Sequence, residues 1–506
     1  MAFAITQTCC NDASCVSVCP VNCIHPTPDE PDFGTTEMLY VDPHSCIDCG
    51  ACADACPVDA IFPVESLTEP LREYADINAG FYADRDPSAV SGASPNFHAW
   101  GPPVFTRTIP GDFPRLEVAV VGTGPAGMYA VQDLLLHTQT RVTLIDRLDA
   151  AGGLIRYGVA PDHPSTKKIG ETFARFHHHP RLRLRLGVQV GRDMTVDELA
   201  ERYDAVIYAV GASSARRLGI PGEDLAGSVA ATTVVGWYNG HPEVPVDAVD
   251  LSAERVVVVG NGNVALDVAR ILTADPDSLA DTSISRDALA RLRSGKVREV
   301  VLLGRRGPEA AAYTMPELLA LARQDDVDLV VDDHDPRVAE AIAAAAPTGK
   351  AGLLRGLRTE AVDWSAPPRH ERRRIVLRFH SAPREVLGDS RVRALRVTGP
   401  AGEAEILAGQ VVRAVGYRGT PLPGLPFDED TGTIPNTGGR VEGRPGTYVV
   451  GWIKRGPSGG IGANKTCAQE TVGALLDDVI AGSVTARRAP GMTRFRATVA
   501  SLRGRS

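Results

Sequence analysis

The stretch Val118–Asp146, VAVVGTGPAGMYAVQDLLLHTQTRVTLID, decides the fold of this 506-residue chain. A short apolar strand, Val118–Val121, leads into a turn with glycines at G-x-G-x-x-G spacing, and a helical run follows. A second apolar strand, Val142–Ile145, ends on Asp146. Strand, glycine turn, helix, strand and acid in this register predict a βαβ unit that binds a dinucleotide.

Each residue of this unit has a physical task. Gly122 permits the tight turn, Gly124 lets a pyrophosphate approach the backbone, and Gly127 lets helix and strand pack closely. The helix amino terminus offers free N–H groups and a positive dipole end to the phosphates. Asp146, about 20 residues further on, suits a ribose 2′-hydroxyl.

Length and charge exclude several classes of function. The chain is long enough for three or four domains. We find no apolar run of about 18 residues and no secretory signal, so we predict no membrane span and a cytoplasmic location. The net charge of −9 belongs to residues 1–64, which hold nine acidic residues and no Lys or Arg, so nucleic-acid binding is not expected. The acidic face either keeps a small module soluble or docks a basic partner.

Nine of the ten cysteines lie in the first 56 residues, and the tenth is Cys467. Because no secretory signal is found, metal binding is favoured over disulfides. In bacterial ferredoxins the run C-x2-C-x2-C-x3-C-P gives three thiolates to one cluster and the fourth to the other. That run occurs here at Cys46, Cys49, Cys52 and Cys56.

The first half of the module repeats this pattern. CPVNCI, from Cys19, aligns with CPVDAI, from Cys56. This register pairs Cys9 with Cys46 and Cys15 with Cys52, but it puts Asp12 opposite Cys49. We therefore expect a [4Fe–4S] cluster on Cys19, Cys46, Cys49 and Cys52, and a second cluster on Cys9, Cys15 and Cys56.

Asp12 decides the type of the second cluster. That cluster is [3Fe–4S] if Asp12 does not bind, and [4Fe–4S] if its carboxylate or another ligand takes the fourth iron. We favour [3Fe–4S] because a hard oxygen ligand suits the site less well than a thiolate. The extra thiols, Cys10 and Cys23, fall opposite Ile47 and Ala60 and are predicted to be buried small residues.

A second phosphate-binding turn follows the predicted strand Arg255–Gly260 and precedes the predicted helix Val264–Leu272. It argues for a second dinucleotide. The next strand, Val300–Leu303, leads into Arg305 and Arg306, where an NAD site would have an acid. Two arginines suit a 2′-phosphate, so the sequence predicts NADP.

Residues 65–115 contain seven prolines and are predicted to be a largely irregular linker, with a short helix near Leu67–Ile77. Phe97, Trp100 and Phe105 suggest that this linker packs on another part of the chain. The predicted domains are a ferredoxin domain at 1–64, the linker at 65–115, a first dinucleotide-binding domain at 116–213 and 414–480, an NADP-binding domain at 214–413, and a tail at 481–506.

Five motifs together resemble the adrenodoxin reductase family of ferredoxin–NADP reductases: VGTGPAG, GGLIRYGVAPDHP, GWYNGHP, GNGNVALDVARIL and GWIKRGPSGGIG. The match runs from about Val118 to Leu476. With the cysteine-rich module in front, the chain resembles the fused-ferredoxin members of that family. The resemblance implies a two-domain α/β flavoprotein with FAD and NADP(H) in Rossmann-like domains, preceded by an α+β ferredoxin-like domain.

The fingerprints and the resemblance give the expected cofactor sites. Trp452 is expected beside the flavin ring. His163 is expected near the flavin and Asp267 near the nicotinamide, with a satisfied loop histidine and an exposed acid as the alternatives. The predicted flavin contacts are Gly122, Gly124, Ala126, Gly127, Asp146, Leu154, Val190, Trp452, Gly459, Gly460 and Ile461. The predicted NADP contacts are Gly260, Asn261, Gly262, Asn263, Val264, Arg305 and Arg306, with Arg216 and Glu317 added by the resemblance.

The implied activity is hydride transfer between NADPH and FAD, followed by single-electron transfer between FAD and the clusters. No side chain needs to act as a nucleophile. A free ferredoxin or a monooxygenase is the expected external partner. The alternatives are a flavin reductase like the glutamate-synthase β subunit, and a redox or NADPH sensor without turnover. A disulfide reductase is disfavoured because the reductase part has no C-x-x-C.

Overall fold

The computed structural model describes residues 2–83, 109–346, 349–368 and 372–486. Phe97, Trp100 and Phe105, together with the tail from Arg487 onward, lie outside the described residues. Within these ranges, no helix is long and apolar enough to cross a membrane.

The amino-terminal module consists of two similar halves. The strand Phe3–Ile5 pairs antiparallel with Ile61–Pro63, and Ile24–His25 pairs antiparallel with Tyr40–Val41. The register that aligns the two cysteine motifs also aligns the strand Phe3–Ile5 with Tyr40–Val41. It aligns the strand Ile24–His25 with Ile61–Pro63. A short helix, Ala51–Ala55, contains Cys52 and ends just before Cys56. The sequence repeat is therefore a structural repeat.

The repeat extends to individual backbone angles. Asn11 and its counterpart Asp48 have φ of +56° and +59°, and Asn22 and its counterpart Asp59 have φ of +50° and +49°. Asn and Asp enter the left-handed region more readily than most other non-glycine residues. Both cysteine loops therefore turn at the same places and follow one path.

The helix Glu73–Tyr82 packs on this module. The side chain of Asn78 is buried, and its Oδ1 accepts hydrogen bonds from the amides of Ile5 (3.1 Å) and Val41 (2.8 Å). Its Nδ2 donates to the carbonyls of Ile5 (2.8 Å) and Tyr74 (2.7 Å). One amide thus joins a strand from each half. The sequence predicted only a short helix here, because the many prolines nearby concealed the end of the domain.

A seven-stranded sheet forms the first large domain, and its strands come from two distant parts of the chain. Five neighbouring strands are parallel, with Thr447–Val449 at one end of the five and Leu182–Arg185 at the other. Two short antiparallel strands extend the sheet beyond Thr447–Val449. The helices Pro125–His137 and Ala463–Ile480 pack against each other on it. In spatial order the strands are Asn436–Thr437, Arg440–Val441, Thr447–Val449, Ala205–Tyr208, Glu117–Val121, Arg141–Ile145 and Leu182–Arg185.

A second seven-stranded sheet, entirely parallel, forms the second large domain. Its central strands are buried on both faces and rich in Val, Ile and Leu, as expected for a parallel sheet covered by helices. In spatial order they are Ser228–Ala230, Gln410–Arg413, Arg255–Val259, Glu299–Leu303, Arg373–Arg378, Val327–Asp332 and Arg358–Glu360. The main helices are Ala231–Tyr238, Asn263–Thr273, Arg286–Ser294, Met315–Ala322 and Pro336–Ala344.

Smaller elements complete the two domains. A three-stranded antiparallel sheet, Ala382–Leu387, Ala394–Gly399 and Gly402–Leu407, packs beside the second large sheet. A two-stranded ribbon joins Ser214–Ala215 to Tyr417–Arg418 where the chain passes between the domains. The remaining helices include Leu154–Tyr157, Pro164–Ala174, Val196–Arg202 and Trp452–Arg455. The predicted α/β fold class is confirmed.

Candidate functional site

The first glycine turn is shaped by its backbone. Gly122 has φ of +112°, and a Cβ there would lie 2.3 Å from the carbonyl oxygen of Ala209. A Cβ on Gly127 would lie 2.0 Å from the carbonyl oxygen of Gly122. A Cβ on Gly124, in contrast, would have no atom within 4 Å. Gly122 and Gly127 thus allow close packing, and Gly124 leaves the open space that a pyrophosphate needs.

The helix Pro125–His137 begins at this turn, and no side chain caps it. Its first N–H groups, including that of Ala126, are therefore donors for a phosphate. Asp146 lies at the end of the neighbouring strand. Its Oδ2 accepts hydrogen bonds from the amide (2.8 Å) and hydroxyl (2.5 Å) of Thr123, and its Oδ1 accepts one from the amide of Leu148 (3.0 Å). Asp146 therefore fixes the turn, and its carboxylate oxygens keep further lone pairs for a ribose.

Two more predicted flavin contacts lie around this turn. Gly153 packs against Gly124, since a Cβ on Gly153 would lie 2.8 Å from the Gly124 Cα. Leu154 follows it with 37% of its surface exposed, so its side chain is accessible to a cofactor beside the turn. The side chain of Val190 is buried in the core, so any cofactor contact from Val190 comes from its main chain.

The loop between Gly456 and Gly462 presents unpaired amides. Within the described residues, no atom accepts a hydrogen bond from the N–H groups of Gly459, Gly460 or Ile461. The carbonyls of Gly460 and Ile461, in contrast, are both held by Nδ2 of Asn464 at 3.1 Å. The Trp452 indole donates to the Ser458 carbonyl at 3.1 Å and its ring lies 5.3 Å from that of Tyr417. The loop therefore has its carbonyls satisfied and its donors free, as a site for an electron-rich ring edge requires.

The cysteines fall into two groups in space. In the first group, burial raises the pKa of Cys9 to about 11, with contributions from the charges of Cys56 and Asp12. Burial and the charges of Cys9, Asp12 and Cys56 likewise raise the pKa of Cys15. These three thiols and Asp12 are therefore close enough for their charges to interact. Asp12 is held by Ser14, whose amide donates to Oδ1 at 3.2 Å.

The second group contains Cys19, Cys46, Cys49 and Cys52, whose charges affect one another. Cys23 joins them, since its sulfur lies 3.4 Å from that of Cys19. The hydrogen bond from Cys23 lowers the pKa of Cys19, and that of Cys46, to about 6. Soft thiolates in two such groups fit iron–sulfur clusters. The prediction that Cys23 is merely a buried small residue misses this thiol contact.

The first cysteine group meets the loop that carries the free amides. The Gly462 amide donates to the carbonyl of Cys10 at 2.9 Å, and Lys465 Nζ donates to the Asp12 carbonyl at 3.1 Å and the Ser14 hydroxyl at 3.0 Å. A Cβ on Gly462 would lie 2.2 Å from the Cys10 oxygen. The two modules thus touch main chain to main chain.

The second glycine turn repeats the first. Gly260 has φ of +121°, and a Cβ there would lie 2.3 Å from the Ala414 carbonyl oxygen. Gly262 begins the uncapped helix Asn263–Thr273, whose second residue is Val264. The side chain of Asn261 accepts from the amide of Ala312 (3.3 Å) and that of Asn263 from the amide of Thr314 (2.8 Å). Both asparagines therefore hold the facing loop, and the main-chain N–H groups remain for the phosphates.

Arg305 and Arg306 follow the strand Glu299–Leu303, and both are exposed. Neither guanidinium has an acidic partner in the part of the chain that the structure describes. Arg216 is also exposed, and its Nε donates to the Tyr417 carbonyl at 3.3 Å. Unpaired arginines at the end of this strand fit a 2′-phosphate.

Glu317 lies in a charged cluster with His163 and Asp267, and ligand atoms of the three lie within 4.8 Å of one another. Arg270 occupies the position of a cation among them: it donates to Asp267 (2.7 Å) and to His163 Nε2 (2.9 Å). Burial and the charge of Asp267 raise the pKa of Glu317. Burial alone would raise the pKa of Asp162 too, but its hydrogen bonds with Arg270 lower it overall.

Comparison with known proteins agrees with this geometry. The pyridine nucleotide-disulphide oxidoreductase family matches residues 116–300, and the 4Fe-4S binding domain family matches residues 39–62. A probable ferredoxin/ferredoxin–NADP reductase of Mycobacterium tuberculosis is 49% identical over an alignment of 497 residues. The alignment covers 96% of this chain and 85% of that protein. The chain belongs to the ferredoxin/ferredoxin–NADP reductase family.

Two further relatives of this ferredoxin–NADP reductase cover its reductase part. Human mitochondrial NADPH:adrenodoxin oxidoreductase is 38% identical over 76% of this chain and 83% of its own. The solved structure of Mycobacterium tuberculosis FprA in complex with NADPH is 42% identical, covers 77% of this chain and 89% of its own, and superposes with a TM-score of 0.67. The predicted family is confirmed.

The sequence did not single out four residues of this reductase that the structure brings to the site. Arg270 and Asp162 hold the Glu317 cluster, and Gly462 and Lys465 hold the ferredoxin module. Asp162, Arg270 and Gly462 lie within motifs that were recognised, so membership of those motifs was the available signal. Lys465 gave no signal, since lysine on helices is common.

Proposed function

We propose that the protein is a ferredoxin–NADP reductase that passes electrons between NADPH, FAD, its own two clusters and an external one-electron carrier. The contact between Gly462 and Cys10 carries this proposal, because it places the first cysteine group beside the free amides of the glycine-rich loop. FAD, when bound, supplies the exchange between the two-electron chemistry of NADPH and single-electron steps.

We assign the FAD site to the first glycine turn and the loop before the helix Ala463–Ile480. Uncapped N–H groups of the helix Pro125–His137 bind the pyrophosphate, Asp146 the ribose, and the amides of Gly459–Ile461 the ring edge. The open space above Gly124 supports this assignment. The predicted residues Leu154, Val190 and Trp452 complete the site.

We assign the NADP site to the turn at Gly260 and Gly262 with Arg305 and Arg306 on the 2′-phosphate. The lack of an acidic partner for either arginine, among the described residues, supports NADP over NAD. We also assign Arg216 and Glu317 to this site, as the family resemblance implies, and Glu317 lies beside Asp267 of the helix that begins at this turn. The domain limits remain as predicted from the sequence, except that we propose to extend the ferredoxin domain to Tyr82.

We propose that the second cluster is [3Fe–4S]. The Asp12 carboxylate is bonded by the amide and hydroxyl of Ser14, and Lys465 Nζ lies 3.9 Å from its Oδ2. A carboxylate with these partners is a weak competitor for an iron that prefers thiolate. All ten cysteines are free, which is consistent with the reducing cytoplasm where we place the protein.

An anaerobic NADPH titration with low-temperature EPR, iron analysis and flavin analysis tests the proposal. We expect about seven irons per chain and the EPR signal of an oxidised [3Fe–4S] cluster before NADPH is added. NADPH should then bleach the flavin and produce the EPR signals of reduced clusters. Reduced flavin with clusters that stay oxidised would refute the internal relay. Tight NADP binding without any flavin reduction would favour the sensor, and co-purification of a large subunit would favour the glutamate-synthase-like alternative.

A further inference from the structure

We propose that an external carrier protein with a basic face docks on the second cysteine group, and that electrons leave the molecule there. The surface consists of Val18, Ile47, Asp48, Cys49 and Asp54, and we call it the Ile47 face. The inference rests on the proposed function, because it names the partner and the exit of the same relay.

The Ile47 face exposes two large apolar side chains that are not buried within the module. Ile47 has 58% and Val18 41% of its surface exposed, and Cys49 is exposed. Each apolar residue adjoins a cysteine of the second group in sequence: Val18 precedes Cys19, and Ile47 follows Cys46. Apolar side chains are therefore exposed next to two of these cysteines in the chain, and exposed apolar surface marks sites of protein contact.

The first cysteine group has no such access, because the reductase covers it. The Gly462 amide and Lys465 bind the loop from Cys10 to Ser14. The first group therefore lies at the contact with the reductase, whereas the second group contains the exposed Cys49.

Charge indicates the chemistry of the partner. Where the acidic module meets the reductase, each acid finds a lysine: Glu37 lies 2.9 Å from Lys350, Asp59 pairs with Lys168, and Asp12 faces Lys465. Asp48 and Asp54 on the Ile47 face are exposed and have no cationic partner among the described residues.

The module thus has acids that face lysines at its contact with the reductase, and acids without a cationic partner, among the described residues, on the Ile47 face. A second partner with lysines or arginines around an apolar centre would complete the pattern. The overall step balances. One NADPH becomes NADP⁺ and releases one proton and two electrons, and two carrier molecules each gain one electron.

The test uses the full holoprotein with NADPH and cytochrome c, a basic one-electron acceptor, at low ionic strength. Ile47→Ser should lower kcat/KM for cytochrome c about tenfold, as expected for one buried apolar anchor. Asp48→Asn keeps a residue suited to the left-handed backbone at φ +59° and should lower kcat/KM roughly threefold, an effect that salt removes. Val246→Ser and Asp29→Asn, also exposed, are the matched controls.

Ferricyanide reduction and cluster reduction by NADPH should be the same in all five proteins. Equal cytochrome c rates in all five would overturn the docking surface while leaving the reductase intact. Failure of NADPH to reduce the flavin or clusters of the unchanged protein would instead refute the proposed function. Deleting residues 487–506, which are rich in arginine, tests a competing occupant. A rise in the cytochrome c rate on deletion would assign the face to that segment and overturn the proposal.

Discussion

The Gly462 amide and the Cys10 carbonyl lie 2.9 Å apart, and this contact between the reductase and its ferredoxin module is made by main-chain atoms. A Cβ at Gly462 would lie 2.2 Å from the Cys10 oxygen, 2.3 Å from the Asp12 nitrogen and 2.4 Å from the Asn11 carbonyl carbon. None of these atoms can move aside as a side chain would. This contact fixes how closely the first cysteine group approaches the flavin loop.

Gly462→Ala should therefore separate the two modules locally. We expect the flavin to be reduced by NADPH much as before, and the clusters to be reduced at least tenfold more slowly, measured by stopped-flow absorbance and freeze-quench EPR. Gly80→Ala is the control, since a Cβ at Gly80 has no atom within 4 Å. Flavin content is measured in both variants. Unchanged cluster kinetics in Gly462→Ala would show that this contact does not set the rate.

Asp12→Cys should restore the thiolate that the repeat places opposite Cys49. We expect the iron content to rise from about seven to about eight per chain and the oxidised [3Fe–4S] signal to disappear. Asp12→Asn should keep both at their original values. If Asp12→Asn alone changed the cluster type, the native carboxylate would have to be an iron ligand.

Arg305→Ala and Arg306→Ala should each raise the KM for NADPH about tenfold or more and leave that for NADH unchanged. A hydrogen bond between charged groups contributes about 1.5–3 kcal/mol, and about 1.4 kcal/mol is a tenfold change. Steady-state ferricyanide reduction measures both constants. Arg286→Ala, exposed and also without an ion pair among the described residues, is the control. An equal loss with NADH would contradict a 2′-phosphate contact.

Glu317 should make stability depend on pH. Burial and the charge of Asp267 raise its pKa above the ordinary value of 4.5, while His163 and Arg270 oppose this. The folded state therefore favours the protonated carboxyl, and its contribution to stability is full below pH 4.5 and is lost as pH rises through the raised pKa. The Tm of Glu317→Gln minus that of the wild type should therefore increase as pH rises across this window. A constant difference, as expected for exposed Glu309→Gln, would argue against the shift.

Asn78→Leu should destabilise the ferredoxin module by several kcal/mol, because each buried backbone group left unpaired costs about 1–3 kcal/mol. Asp76→Ala, on the exposed side of the same helix, should have little effect. Thermal loss of the cluster absorbance reports the change. Equal cluster loss in the two variants would show that the helix is not part of the module.

Local patterns predicted most of the fold, and long-range contacts account for what was missed. The predicted strand Val118–Val121 and the predicted helix Val264–Leu272 are present in the structure with slightly different ends, Glu117–Val121 and Asn263–Thr273. In contrast, the short helix predicted near Leu67–Ile77 lies at Glu73–Tyr82. Its position follows from packing on the amino-terminal module, which no local pattern records.

The two cysteine groups could be derived from the sequence because a repeat carries its own register. The partners of His163 could not, since Arg270 lies 107 positions away along the chain. The docking of the module was equally hidden, as Gly462 and Lys465 resemble ordinary residues at a helix start. Contacts between side chains that are distant along the chain do not produce a periodic pattern in the sequence.

The main-chain contact at Gly462 also determines the kinetic order of the internal step. A free ferredoxin must find its reductase by diffusion, so the rate of that step falls when both proteins are diluted. Here the donor and the first acceptor share one chain and one interface, so the step is first order and its rate per molecule is independent of protein concentration. Only the exchange with an external carrier remains a collision between two molecules.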